Sequence, residues 1–369
     1  MRAVVLTLAL AVGVLAAATG VAHAYPQYQL SKEPTCATCH ISPSGGGLLN
    51  DYGELTAEEE SQWGGNPSFL HGAVELPDWL ALGGDLRGAG GLHDNGNGAG
   101  PSAFPMQAEL YAAASKGAVT LYATAGITLR EDSPWPLSRE HWLMWKPDEG
   151  GEGPYVRAGR IMPVFGLRQA EHPYYTRRYG PTPLFAEVYG VNGGWLSPKL
   201  EAHVTAFVHD PLVDGTQKGN GAAAYVEKRF GAAQLGAEAM YATSDDDGRL
   251  HAGVTGKLWL EGAKLLLSGE GMVVHQDFTS AGAPSRYQLV GQLIGTYFVR
   301  PGLFVDLGVG HFAEDTAIAD TFRDAVDLNV HWFPLSHLEL VLTSRFQRIG
   351  LGNGGDDSGF ALLQVHYRI

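Results

Sequence analysis

Cys36-Ala37-Thr38-Cys39-His40 is the sharpest run of residues in this chain whose types and spacing could do chemistry together. Two thiols separated by two residues can each bond one vinyl group of a haem as a thioether, and the imidazole that follows can coordinate the iron from the proximal side. A Cys-x-x-Cys pair also serves as a redox dithiol or as half of a zinc site. The dithiol expects a βαβ setting that the flanking sequence lacks, and zinc expects four ligands, whereas these are the only cysteines. The motif therefore predicts one covalent haem c, with Cys36 and Cys39 as anchors and His40 as iron ligand.

The sixth ligand is less marked. Between residues 25 and 78 there is no methionine, and the only histidine besides His40 is His71, which makes His71 the simplest partner for the iron. A residue elsewhere or a water is the alternative. Met106 falls in phase with Ala108, Leu110 and Ala112 on an apolar stripe, while Met240 and Met272 fall on the polar side of their segments. The stretch from Arg157 to Arg178 gathers Arg157, Arg160, Arg168, Arg177 and Arg178 with His172, and could pair with haem propionates or narrow a pore. Ion pairs with Glu109, Glu201 or Glu227 would account for these arginines equally. Gly308 to Ala313 match the spacing of a dinucleotide fingerprint but lie inside a predicted strand, where the match has no phosphate to bind.

Three kinds of element position these residues. Arg2, the apolar run Val4 to Ala18 and Ala22-His23-Ala24 read as a secretory signal over 1–24, cleaved before Tyr25. Residues 25–78 form a small unit around the haem motif, in which the Ser42 to Gly47 run turns sharply and Thr56-Ala57-Glu58-Glu59 reads as a capping box opening one short helix that Asn66-Pro67 ends. With so little apolar content this unit needs the cofactor, and a surrounding wall, to complete a core.

From residue 79 to 369 the pattern has period two. Val119, Leu121, Ala123, Ala125 and Ile127 alternate with polar or small partners, and Leu200 to Val208 and Leu250 to Leu260 do the same. Turn signals divide the region into sixteen strands, near 79–92, 102–115, 117–130, 139–146, 154–163, 184–197, 199–209 and 220–230, then 232–244, 249–260, 262–276, 286–300, 302–313, 321–333, 336–348 and 359–369. Long and short connections alternate between them. The fold expected is all-β: a transmembrane antiparallel barrel of about 16 strands with both termini periplasmic and a small N-terminal haem-bearing plug. Ala361, Leu363, Val365, Tyr367 and Ile369 give the last strand an apolar stripe, ending on Ile rather than the usual aromatic residue. With a net charge of −14 the chain lacks the basic surface a nucleic-acid binder needs. Acidic clusters at Glu131-Asp132, Asp210 and Asp214, Asp245 to Asp247, Glu314-Asp315 and Asp356-Asp357 fall in the long loops. They could gather divalent cations, though solvated loops or cation bridges to lipopolysaccharide are the simpler account.

In plan, namely a signal, one Cys-x-x-Cys-His, a short plug and about sixteen strands, the chain resembles the fused monohaem c-type cytochrome-porins of bacterial outer membranes, some of which oxidise ferrous iron outside the cell. The resemblance implies that Cys36 and Cys39 are thioether anchors and His40 the proximal ligand. It implies an electron conduit in contact with outer-membrane lipid, with the plug in the lumen or at the periplasmic mouth. Its partners would be a periplasmic electron carrier and an extracellular redox substrate such as ferrous iron, which would make it an extracellular metal-ion oxidoreductase. Where iron-oxidising members carry Phe-Pro and Phe-Gly-Arg, this chain has Ser42-Pro43 and Tyr52-Gly53-Glu54. The same architecture could instead serve as a diffusion porin whose haem plugs or gates the pore, or as a haem-based sensor or assembly factor.

Overall fold

The computed structural model describes residues 35–96, 98–127, 138–147, 152–208, 210, 219–280, 282–350 and 356–369; the expected signal over 1–24, and Glu131, Asp132 and Asp214, lie outside them. Sixteen antiparallel strands follow one another around a closed barrel, β1 pairing with β16. The first eight are β1 (Leu80–Asp94), β2 (Ala99–Lys116), β3 (Val119–Ile127), β4 (His141–Trp145), β5 (Gly153–Ile161), β6 (Val188–Leu196), β7 (Leu200–Val208) and β8 (Gly221–Phe230). The rest are β9 (Ala233–Thr243), β10 (Asp247–Leu260), β11 (Leu265–Phe278), β12 (Arg286–Arg300), β13 (Leu303–Ala313), β14 (Phe322–Leu335), β15 (Leu338–Ile349) and β16 (Asp356–Arg368). Among the described residues three short α-helices are not part of the wall: α1 (Cys36–Cys39), α2 (Asp51–Glu59) and α3 (Tyr175–Tyr179).

Period-two patterning decides which way each side chain points, because successive Cβ atoms leave opposite faces of a strand. Leu110, Leu121, Val204, Leu235, Val254 and Leu307 point outward and are each more than half exposed. Their neighbours Glu109, Tyr122, His203, Gln234, Thr255 and Asp306 are buried inside. A continuous apolar exterior of this extent is what a barrel wall offers to lipid, whereas in water it would drive aggregation. Exposed Trp79, Trp145 and Trp195 sit at the end of the barrel where the connections are short, and Tyr241, Tyr287 and Phe346 near the other end, as interfacial girdles do.

The longest connection, 162–187, does not stand out from the barrel mouth. Val164, Phe165, Leu167, Tyr174 and Tyr175 are almost wholly buried. The Leu167 N–H donates to Glu270 of β11 at 2.9 Å and the Tyr175 N–H to Gln292 of β12 at 3.1 Å, so the loop folds into the lumen and is pinned by wall side chains. The glycines of the false dinucleotide match make room for it. A Cβ on Gly308 would stand 3.4 Å from the Tyr174 ring, and one on Gly310 3.0 Å from the Tyr175 ring and 2.6 Å from the Gln292 amide. Gly310→Val should therefore push Tyr175 and the loop off the wall, at about 1–3 kcal/mol for the overpacking, and single-channel conductance of the purified barrel should rise.

Candidate functional site

The Cys-x-x-Cys-His motif forms a single helical turn, closed by the His40 N–H donating to the Cys36 carbonyl at 2.9 Å. Residues three apart share one side of a helix, so Cys36 and Cys39 face the same way. His40 leaves the helix in an extended conformation and bridges to Leu49. The return is made by Gly45, Gly46 and Gly47, all left-handed, with φ of 78°, 73° and 60°. A Cβ on Gly45 would lie 3.4 Å from Cys36 Sγ, and one on Gly47 2.2 Å from the Tyr122 hydroxyl, so the turn fits tightly between the motif and the wall. Asn50 then caps α2, accepting from the Gly53 N–H at 2.9 Å, while its own amide donates to the Thr38 carbonyl at 3.0 Å. The helix therefore starts at Asp51, not at the capping box expected from Thr56, and it ends at Glu59, well before Asn66-Pro67. Asn50 wins because its side chain satisfies the helix and the haem motif together. Gly53 is required at the contact, since a Cβ there would stand 2.1 Å from the Cys39 carbonyl.

Arg157, fully buried on β5, ties this unit to the wall. Its guanidinium donates to Ser42 Oγ at 2.9 Å, Ser44 Oγ at 3.3 Å, the Met162 carbonyl at 2.9 Å and Asn192 at 2.9 Å. Arg168 of the inward loop reaches the Pro43 carbonyl at 3.4 Å and pairs with Glu201 at 2.6 Å. Nearer the short-turn end, the Gln62 and Trp63 N–H groups donate to the Phe333 and Pro334 carbonyls. Of the roles the sequence offered the basic segment, ion pairing is the one seen, Arg168 with Glu201, and Arg160 adds a pair with Asp210 of the following loop at 2.9 Å; its grip on the plug was not foreseen.

Between plug, inward loop and wall lies a cavity of about 850 Å³. Cys36, Cys39 and His40 all line it, as do Gly45 to Gly47. Burial pushes the Cys36 thiol up, which is the wrong direction for a reactive dithiol. Among the described residues the two thiols and the imidazole are not gathered within the 4.8 Å span a shared metal ion would need. Burial, with Arg368 adding to it, lowers His40 to about 4, so the imidazole is neutral near pH 7, and its Nδ1 is buried without a hydrogen-bond partner. Thiols spread over one wall of a void, a neutral imidazole beside them and a glycine cradle are a fit for a covalent macrocycle rather than for zinc or disulfide exchange. On the loop side, Arg177 Nε is buried without a hydrogen-bond partner and is available to a propionate.

His71 is not brought to this cavity. The chain turns left-handed at Leu70 and His71, leaving the His71 ring exposed at the short-turn mouth, 4.0 Å from the His337 ring and 2.5 Å from the Tyr367 hydroxyl. Met240 and Met272 do face inward but do not line the cavity either. Besides His40, the methionines and histidines that do are Met106, Met162, His172, His337 and His366. Met106 departs from the lipid-facing stripe because β2 has a bulge there: Arg87 pairs with Gln107 and Gly88 with Pro105, leaving Met106 as the extra residue. His172 is lowered to about 3, first by burial and then by Arg177, and its Nδ1 is buried without a partner. Neither signal was visible before the loop was seen to fold inward and the bulge to break the period. Of the acidic loop residues, Asp210, Asp247, Glu314 and Asp357 are taken up by Arg160, Arg249, Arg286 with Arg323, and Arg348, which favours ordinary loop structure over a cation-gathering rim.

No protein-family model matches the chain, and no curated protein matches it in sequence. Solved barrels match its fold. OmpT of Vibrio cholerae superposes with a TM-score of 0.61 at 15% identity, over 80% of this chain and 100% of that one. An anion-selective porin from Comamonas acidovorans gives 0.63 at 12% identity, over 79% of this chain and 99% of that one. The outer membrane channel DcaP of Acinetobacter baumannii gives 0.57 at 12% identity, over 79% and 97%. The common element is the closed sixteen-stranded porin-type barrel.

Arg157→Met should leave the plug's serines and the Met162 carbonyl without their donor. Removing one side of a buried charged contact of this kind costs about 3–5 kcal/mol. Limited proteolysis of the folded barrel should then cut between residues 35 and 61, where the unaltered protein resists.

Proposed function

We propose that this chain is an outer-membrane barrel of the porin type that carries one covalent haem c in its lumen and passes electrons between an extracellular donor or acceptor and a periplasmic carrier. The observation that carries the reading is that Cys36, Cys39 and His40 line one cavity enclosed by the barrel wall and the inward loop. Cys36 and Cys39 would anchor the macrocycle, and His40 would hold the iron on the proximal side. Arg177 would meet a propionate, and His172, Met106 or Met162 could supply the sixth ligand. A bound haem supplies one-electron redox chemistry, and the cell's investment in attaching it covalently favours that use. The chain's own part would be to shield that chemistry: Phe165, Tyr122 and α2 line the cavity, and the plug's contacts at Phe333 and Pro334 support a position for its far end near the short-turn mouth, which is the periplasmic one in such barrels. Residues 1–24 would be the export signal and 25–78 the haem-bearing unit.

The second reading is a diffusion porin with a structural or gating haem. The fold likeness to an anion-selective porin and to an outer membrane channel supports it better than it supports electron transfer. Against it, the lumen is occupied by two buried inserts, the plug and the 162–187 loop.

Liposomes that enclose a membrane-impermeant electron acceptor, with haem-loaded protein in the bilayer and ferrous iron or another reductant outside, separate the two. Reduction of the enclosed acceptor that disappears in Cys36→Ala/Cys39→Ala, together with covalent haem stain, is the result expected. Solute-driven swelling without haem-dependent reduction would leave only the porin. In the haem-loaded protein, His71→Ala should leave the absorption spectrum unchanged. One of His172→Ala, Met106→Leu and Met162→Leu should shift it from low spin to high spin.

A further inference from the structure

Glu171 of the inward loop, Asp306 of β13 and His331 of β14 bring one donor atom each within 4.8 Å of one another. His331 Nε2 lies 3.4 Å from Asp306 Oδ2 and 3.5 Å from Glu171 Oε1. Ligands roughly 2.1 Å from a tetrahedral ion stand about 3.4 Å apart along an edge, so these atoms already have the spacing of a coordination shell. Asp306 is wholly buried, yet beyond the His331 imidazole neither of its carboxylate oxygens has a hydrogen-bond partner, and one Glu171 oxygen is in the same position. Among the described residues no lysine or arginine lies within ion-pair distance of either carboxylate. A buried carboxylate left in that state is costly unless a cation meets it.

The imidazole is oriented as a ligand's would be. Its Nδ1 is 3.2 Å from Glu339 Oε1, its ring stacks on Phe304 at 4.5 Å, and Glu339 Oε2 is held in turn by His366 at 2.9 Å. A carboxylate on one ring nitrogen fixes the tautomer that turns the other nitrogen's lone pair toward a metal. One imidazole with two carboxylates suits zinc, manganese or ferrous-class ions, whereas calcium and magnesium prefer all-oxygen shells.

We propose that Glu171, Asp306 and His331 bind one divalent transition-metal cation that clamps the inward loop to the barrel wall. Glu171 is the only one of the three on the loop, and the nearby bond from Asn329 to the Tyr174 hydroxyl, at 2.8 Å, holds the same stretch of chain. The site is separate from the haem reading and stands without it.

The test is a zinc titration of the folded full-length barrel and of its Cys36→Ala/Cys39→Ala form, followed by equilibrium dialysis. The expected result is one zinc per barrel, retained without the thiols, with affinity lowered at least tenfold in Asp306→Asn and in His331→Gln, and about 10–100-fold in Glu339→Gln. Hydrogen exchange in 162–187 should slow when zinc is added. Binding that vanishes with the cysteines, or that is equal in Asp306→Asn, overturns the site. So does failure of the unaltered barrel to bind. If the wall variants do not fold, as judged by heat-modifiable mobility, cobalt(II) added to the cysteine-free barrel decides. Visible bands of a four- or five-coordinate nitrogen and oxygen site are expected, and a spectrum no different from the aqueous ion overturns the proposal.

Discussion

Closing sixteen strands into a tube commits every second residue of the wall to an enclosed interior, and that constraint shapes everything else in the molecule. The outward half meets the requirement of lipid simply by being apolar. The inward half is polar, and once the lumen is filled its charges are buried at distances where each needs a partner. Glu201 illustrates the result: it is wholly buried and is held by Arg168 from the inward loop, Arg229 from β8 and His203 from its own strand. The wall and the inserts are therefore one electrostatic unit.

The inserts complete one another. Residues 35–61 contribute few apolar side chains to a core, with Ala37, Leu48 and Ala57 the buried ones, so their order depends on hydrogen bonds to Arg157 and on close backbone approach at Gly47 and Gly53. The loop 162–187 covers them from the other side and in turn needs Gly308 and Gly310 for its tyrosines. Between the two, the cavity beside Cys36, Cys39 and His40 is what packing leaves unfilled. A covalent group placed there would act as the missing core of the plug as well as its chemistry, which links cofactor loading to the order of the lumen.

The same logic separates two kinds of buried polar cluster in the lumen. Asp327 and Arg345 form a bidentate pair at 2.6 and 2.9 Å in which both carboxylate oxygens accept a hydrogen bond. Asp85 is likewise met by His366 at 2.8 Å and Tyr111 at 2.7 Å. Glu171 and Asp306 are not met in this way, and the contrast, within one barrel wall, is what sets them apart as ligand candidates.

Much of the barrel was legible in the sequence because strand periodicity is local. Leu250 to Leu260 alternates outward and inward residue by residue as its letters suggest, and strands such as β7, β8 and β9 repeat the pattern, because a two-residue period needs no knowledge of neighbours. The Cys-x-x-Cys-His spacing was legible for the same reason, since Cys36 to Cys39 form one helical turn and His40 follows directly. What depended on tertiary contact was not. His71, the only spare histidine of the plug, ended at the mouth, while His172 and Met106, distant in sequence, lined the cavity instead. The first difference follows from a left-handed turn, the second from a loop folding inward, the third from one bulge that shifts the phase of β2. The sequence by itself determined the strands and their faces; which side chains meet across the lumen was decided only by closure of the barrel, since closure sets distances between residues that share no local pattern.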